Sequence, residues 1–190
     1  MQEIIGYHGT SVDSAIEIIK SNYKQSCGNK EWLGDGVYFF INGISSKPDE
    51  QAKEWAIAQA WDNNRKEYVY NRYCIIKTKI NVEEENLLDL TKEDGIEVLN
   101  YLIESYENVI KREKRNIKYA EGLIINLARS EGILPIDVVK GNFYIKFAKE
   151  RIKNINLRTN NCTICAVFEP SKNITKNNII KTGEINYETI

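Results

Sequence analysis

Apolar and polar positions along the chain switch repeatedly between the period of a strand and the period of a helix. Ile4–His8 reads as a short strand ending in the turn Gly9-Thr10-Ser11. Ser11 then stands as a helix N-cap, and Ala15, Ile16, Ile18 and Ile19 recur at helical spacing as far as Lys20. Ser21–Lys30 is polar and loop-like. Trp32–Phe40 (WLGDGVYFF) combines a glycine-forced turn, Gly34-Asp35-Gly36, with the β-prone run Val37-Tyr38-Phe39-Phe40. Ile41–Pro48 is a loop, and Asp49–Trp61 carries Ala52, Trp55, Ala56 and Ala60 on adjacent faces of a helix.

The second half follows the same logic. Tyr68–Ile80 is a long strand with partial alternation, and Leu87-Leu88-Asp89-Leu90 is a short one. Thr91-x-x-Asp94 resembles a capping box and opens a helical stretch from Lys92 to Arg112. Ala120–Glu131 is a further helix, closed by Gly132 with Pro135 beyond. Ile136–Ile145 reads as strand, turn, strand, with the turn within Asp137–Asn142, and Cys162–Phe168 is a late strand ended by Glu169-Pro170. Ile174–Ile190 supplies one more edge strand. This order predicts an α+β fold with mostly antiparallel strands, and no linker divides residues 1–190 into separate domains.

Composition narrows the classes. The 190 residues are 42% hydrophobic and 28% charged, a globular balance with enough apolar surface for one core. Lys plus Arg number 26 against 27 Asp plus Glu, a net charge of −1, so no global charge favours nucleic acid or a membrane. Locally, Lys111–Lys118 is basic; it reads as a solvated helix face, and as the first place to look for a nucleic-acid contact. The N-terminus lacks a basic region followed by a long apolar run, and no stretch approaches a membrane span, so cytoplasmic residence is expected.

Cys162 and Cys165 form a C-x-x-C, but a structural zinc site wants a second pair or histidines, and Cys27 and Cys74 are far apart in sequence. Buried strand cysteines, with no metal, are the better reading. There is one histidine, His8. Any imidazole chemistry therefore happens at position 8.

Two segments carry the candidate chemistry. In Tyr7-His8-Gly9-Thr10 an imidazole stands beside a glycine that lets a planar amide approach the backbone. In Gly34-Asp35-Gly36-Val37-Tyr38-Phe39 a second close approach at Gly36 precedes a tyrosine that can stack on a flat ligand. Trp55, on the following helix, can face it. Taken alone, His8 reads as a structural strand-end residue, and Tyr38 and Trp55 as core packing. Together they suit a nicotinamide riboside.

On these residues the chain resembles the diphtheria-toxin-like and poly(ADP-ribose) polymerase-like ADP-ribosyltransferases. Their first motif is a strand bearing His-Gly-Thr or His-Gly-Ser, and their second is Gly-x-Gly-[Ile/Val]-Tyr-Phe. The resemblance implies a split antiparallel sheet flanked by helices, with NAD+ as substrate. It implies that His8 bonds the 2′-hydroxyl of the nicotinamide ribose and that Gly9 binds the carboxamide. Thr10 would lie near the adenosine, Tyr38 would stack on the nicotinamide, and Trp55 would form a second wall. The family often has a glutamate on a late strand; here that strand, Asn160–Cys165, has none. Thr163 is the best match for this third catalytic position and Asn161 lies on the same face; Glu121, Glu131 and Glu169 are less favoured.

The implied activity is transfer of one ADP-ribose from NAD+ to a macromolecular acceptor, protein or nucleic acid, rather than chain building. The setting implied by family habit and small size is a bacterial toxin or phage-defence effector, with an antitoxin as partner. Three rivals share the resemblance: an NAD+ glycohydrolase, an inactive NAD- or ADP-ribose-binding module, and a tRNA 2′-phosphotransferase-like enzyme. The last expects further basic and histidine residues that are missing here.

Overall fold

In the computed structural model, residues 1–28, 31–113, 119–145 and 161–185 are described. Strand β1 (Gln2–Ser11) runs into helix α1 (Val12–Lys20), and β2 (Val37–Ile41) precedes α2 (Pro48–Gln59). A small hairpin of β3 (Trp61–Asp62) and β4 (Glu67–Tyr68) leads to β5 (Arg72–Val82). Next come β6 (Leu87–Asp89) and the helices α3 (Glu93–Ser105), α4 (Glu107–Glu113) and α5 (Ala120–Ser130). Strands β7 (Val138–Tyr144) and β8 (Asn161–Val167), the short α6 (Pro170–Asn173) and β9 (Ile174–Glu184) follow.

Seven strands form one sheet in the order β6-β7-β8-β2-β1-β5-β9. All neighbours are antiparallel except β6 and β7. The fold is thus α+β, with a mostly antiparallel sheet flanked by helices, as the periodicity predicts. On one face, Ala15 of α1 and Tyr23 pack with Ile4, Phe39, Ile76 and Val167. On the other, Ala52 and Ala56 of α2, Ala60 at its C-terminal end and Ile125 of α5 pack with Phe40, Ile75, Ile164 and Phe168. Leu102, Tyr106, Ile124 and Ala128 join α3 to α5 in a third cluster. The Ser11 cap forms as expected: its hydroxyl accepts the Ser14 N–H at 3.1 Å.

Several boundaries differ from the sequence reading, each for a local reason. Gly9-Thr10-Ser11 is no turn; β1 continues through it because Gly9, Thr10 and Ser11 pair with Ile75, Cys74 and Tyr73 of β5. The Asp49–Trp61 helix stops at Gln59, because Trp61 leaves to pair with Tyr68 across the hairpin. Thr91 does not cap α3; its hydroxyl bonds Asp89 at 2.5 Å, and Lys92 occupies the cap without a side-chain bond. The Lys92–Arg112 helix breaks at Tyr106, whose hydroxyl is held by Glu131 at 2.6 Å. Asp137–Asn142 is no turn either: Gly141 and Asn142 are paired within β7, opposite Ile164 and Thr163. Asn160, residues 114–118 of the basic run and residues 186–190 of the last predicted strand lie outside the described residues.

Candidate functional site

The site begins where two neighbouring strands part. β1 pairs with β5 along its whole length, from Gln2↔Val82 to Ser11↔Tyr73. Its ladder with β2, by contrast, is confined to Gly6↔Ile41 and Tyr7↔Phe40. Continued in the same register, Gly9 would face Tyr38, but the strands have separated before that point. β2 is held instead on its other edge, where Val37 to Ile41 pair with Val167 to Thr163 of β8.

The imidazole of His8 spans the parting. Its Nδ1 lies 2.9 Å from the backbone oxygen of Tyr38. A carbonyl oxygen only accepts, so Nδ1 carries the proton and donates. Burial pushes the His8 pKa below its usual 6.5, against a smaller upward pull from the Tyr38 carbonyl. The ring is therefore neutral at pH 7, and Nε2 keeps a bare lone pair. The ring is held in place edge-on to Tyr23 at 5.2 Å and tilted against Phe39 at 5.7 Å.

A cleft of about 520 Å³ opens at this parting, lined by His8, Gly9, Gly36, Tyr38, Trp55 and other side chains. That volume lies in the roughly 300–1,000 Å³ range of small-molecule sites. Because side chains alternate along a strand, His8 comes from the α1 face with Phe39, and Tyr38 from the α2 face with Phe40. The two predicted residues do share one cleft, but it runs through the sheet rather than along one side of it. Its aromatic wall continues beyond Trp55. Trp32, also in the lining, meets Trp55 edge-on at 5.8 Å and stacks on Phe143 at 5.2 Å.

Tyr38 has a divided role. Its hydroxyl donates to the Gly34 carbonyl at 2.7 Å and accepts the Leu33 N–H at 2.9 Å. Burial raises its pKa, helped by the nearby charges of Glu31 and Asp35 and opposed by the Leu33 N–H. The hydroxyl thus stays protonated and closes the turn beneath it, while the ring lines the cleft. Gly34, at φ 87°, takes a backbone conformation that favours glycine, and a Cβ there would lie 2.5 Å from Asn126 Oδ1. The same Asn126 oxygen accepts the Asp35 N–H at 2.8 Å.

Gly9 and Gly36 line the cleft but are committed to packing and backbone bonds, and the remaining predicted residues lie outside it. A Cβ on Gly9 would lie 1.8 Å from the Ala52 carbonyl, so this glycine admits helix α2 against β1. The Gly36 N–H and carbonyl are both taken by Ser26, each at 2.9 Å, and so are not free for a ligand. Thr10 pairs with Cys74 and does not line the cleft. Thr163 is fully buried; its hydroxyl donates to Asn142 at 2.7 Å and accepts the Ile44 N–H at 2.9 Å. Asn161 gives its carbonyl to Gln51 at 3.2 Å. Neither Thr163 nor Asn161 lines the cleft, and the bonds above tie them to Asn142, Ile44 and Gln51. The cysteines at 74, 162 and 165 are buried and unbridged, as read from the sequence, and Cys27 is exposed. On α4, Lys111 pairs with Glu107 and Arg112 with Glu113, which is the solvated helix face expected for the described part of the basic run.

The sequence reading passed over Lys24, Ser26, Glu31 and Trp32, all of which line the cleft. A connectivity signal was present. Lys24, Ser26, Glu31 and Trp32 all lie on the connection between α1 and β2, the stretch that joins the His8 segment to the Tyr38 segment. Among the described residues no three metal-ligating side chains gather, and no helix is long and apolar enough to cross a membrane.

No protein-family model matches the chain. It is similar to an uncharacterized protein of Methanocaldococcus jannaschii, MJ0359. The two are 29% identical over 156 residues, spanning 78% of this chain and 69% of the other.

Proposed function

We propose that this protein consumes NAD+ and transfers one ADP-ribose to a macromolecular acceptor, releasing nicotinamide. The observation that carries the reading is the fixed tautomer of His8 inside a through-sheet cleft. With Nδ1 committed to the Tyr38 carbonyl, Nε2 is left as the acceptor of a residue that lines the cleft, which suits a ligand donor. A ribose hydroxyl is such a donor. The Tyr38 ring and Trp55 offer flat apolar walls for a pyridine amide, and exposed Lys24 at the lining suits an anionic pyrophosphate. The short ladder between β1 and β2 supports reading the sheet as the split sheet that the two motifs imply.

The reaction on this reading is dissociative. The bond from ribose C1′ to nicotinamide N1 breaks, its electron pair leaves with nicotinamide, and positive charge develops on the sugar. The cleft contributes by positioning, since His8 and the aromatic walls are held before the substrate arrives. Trp55 and Trp32 brace each other, so the wall does not need to order on binding. The acceptor is a protein or a nucleic acid, and the setting a toxin or defence effector in the cytoplasm, with an antitoxin as cognate partner.

One observation favours a second reading. The hydroxyl of Thr163 donates to Asn142 and accepts from Ile44, and Thr163 does not line the cleft, so it is not placed to serve a macromolecular acceptor there. Water as acceptor, making the protein an NAD+ glycohydrolase, follows from such a site. The test is incubation of the purified protein with NAD+ labelled in the adenylate and a cell lysate, with His8→Ala alongside. Label retained on macromolecules after removal of free nucleotide supports transfer. Nicotinamide release with only free ADP-ribose supports hydrolysis, and intact NAD+ refutes both.

A further inference from the structure

Glu31 is the one carboxylate in the lining of the cleft among the described residues. It lies on the segment that enters β2 and not on β8. Its Oε1 accepts the Ser26 hydroxyl at 2.6 Å, and Ser26 lines the cleft beside it. One oxygen is thus oriented and the other keeps its lone pairs.

The segment bearing Glu31 is tied down at both ends. Ser26 and Gly36 exchange two backbone hydrogen bonds at 2.9 Å. Gln25 donates to the Phe168 carbonyl, Asp35 is bonded to Asn126, and the Tyr38 hydroxyl clips Leu33 and Gly34. Next to Glu31, Trp32 is wedged between Trp55 and Phe143. A carboxylate fixed in this way is preorganised, as a group acting on a developing charge needs to be. Asp35, four residues on, spends its Oδ1 on the Gly28 N–H at 3.0 Å and does not line the cleft.

We propose that Glu31, oriented by Ser26, is the general base of the reaction, supplying from the β2 approach the carboxylate that β8 lacks. This rests on the NAD+-consuming reading above. As the C1′–N1 bond breaks and nicotinamide departs with the electron pair, an acceptor hydroxyl or amine attacks C1′. Its proton passes to the free oxygen of Glu31 and then to solvent. The negative carboxylate also faces the cationic sugar. Water is served equally, so the base belongs to transfer and hydrolysis alike.

The test measures nicotinamide release and NAD+ affinity, by titration calorimetry, for the wild-type chain, Glu31→Gln, Glu31→Asp and Asp35→Asn. Loss of a positioned base costs about 10²–10⁴-fold in kcat. Glu31→Gln is expected to lose kcat in that range while its NAD+ affinity and melting temperature stay near wild type. Glu31→Asp is expected to fall between the two, and Asp35→Asn to keep kcat. Wild-type kcat in Glu31→Gln overturns the assignment and leaves the NAD+ reading intact. Lost affinity with a lowered melting temperature overturns it too, because the residue is then structural. A wild-type chain that neither binds nor consumes NAD+ overturns the underlying reading and this assignment with it.

Discussion

Replacing Tyr38 by Phe removes one oxygen and leaves the ring. That oxygen makes two hydrogen bonds, to the Gly34 carbonyl at 2.7 Å and from the Leu33 N–H at 2.9 Å. Leu33 is 1% exposed, so water does not replace the lost acceptor for its N–H. Stranding a buried donor costs about 1–3 kcal/mol. The Gly34 carbonyl loses its donor in the same event, so a value near the middle, about 2 kcal/mol, is expected. For a chain of this length each kcal/mol moves the melting temperature by roughly 2–4 °C, which gives a fall of roughly 4–8 °C. The ring that lines the cleft is unchanged, so NAD+ affinity measured well below the transition is expected to hold. Tyr38→Ala removes the wall as well and is expected to lose affinity. Calorimetric melting paired with NAD+ titration makes the measurement. A Phe variant that melts like wild type refutes the two-bond account of the hydroxyl. One that keeps its melting temperature yet loses NAD+ shows that the hydroxyl meets the ligand directly.

Three further outcomes follow. Thr163→Val strips the Asn142 and Ile44 bonds and is expected to destabilise by about 1–3 kcal/mol in urea unfolding while leaving kcat unchanged; a large kcat loss at constant stability returns Thr163 to the catalytic position. Gly9→Ala places a methyl where the Ala52 carbonyl stands, 1.8 Å away. It is expected to cost about 1–3 kcal/mol or more by overpacking and to weaken NAD+ binding by shifting α2 with Trp55. Because burial lowers the folded His8 pKa below 6.5, the unfolded chain binds the extra proton first. The associated stability is complete above about pH 6.5 and is lost as pH falls toward the folded value. Urea unfolding from pH 7.5 to 5 checks this, with His8→Gln expected to flatten that part of the curve.

Much of this was legible in the chain, and the reasons differ by element. Val37–Phe40 and Cys162–Phe168 announce themselves as strands because β-branched and aromatic residues run unbroken between turn signals. His8 and Tyr38 are readable as a pair because His8 adjoins Gly9 and Tyr38 closely follows Gly34-Asp35-Gly36, each in a short, dense motif. Sheet order is another matter. Nothing local tells β1 to follow β5 for ten residues while leaving β2 after a brief ladder, yet that mismatch creates the cleft.

Single-residue roles were harder still. Gly9 reads as backbone exposed to a ligand, but α2 returns from some forty positions later to fill the space. Thr163 reads as a polar residue free on its strand, until Asn142 and the 42–47 loop close over it. Glu31 is a charged residue beside a polar stretch, and only the fold places it in the lining of the cleft. In each case the deciding neighbour is distant in sequence, and periodicity carries no information about it.

The central claim is that His8, with Nδ1 held by the Tyr38 carbonyl, presents Nε2 to the ribose of NAD+. Nicotinamide release by the purified chain, compared between wild type and His8→Ala with melting temperature as control, tests it most directly. The account predicts release by wild type and its collapse in a variant that still folds. Equal release from both proteins, or none from wild type, would contradict it.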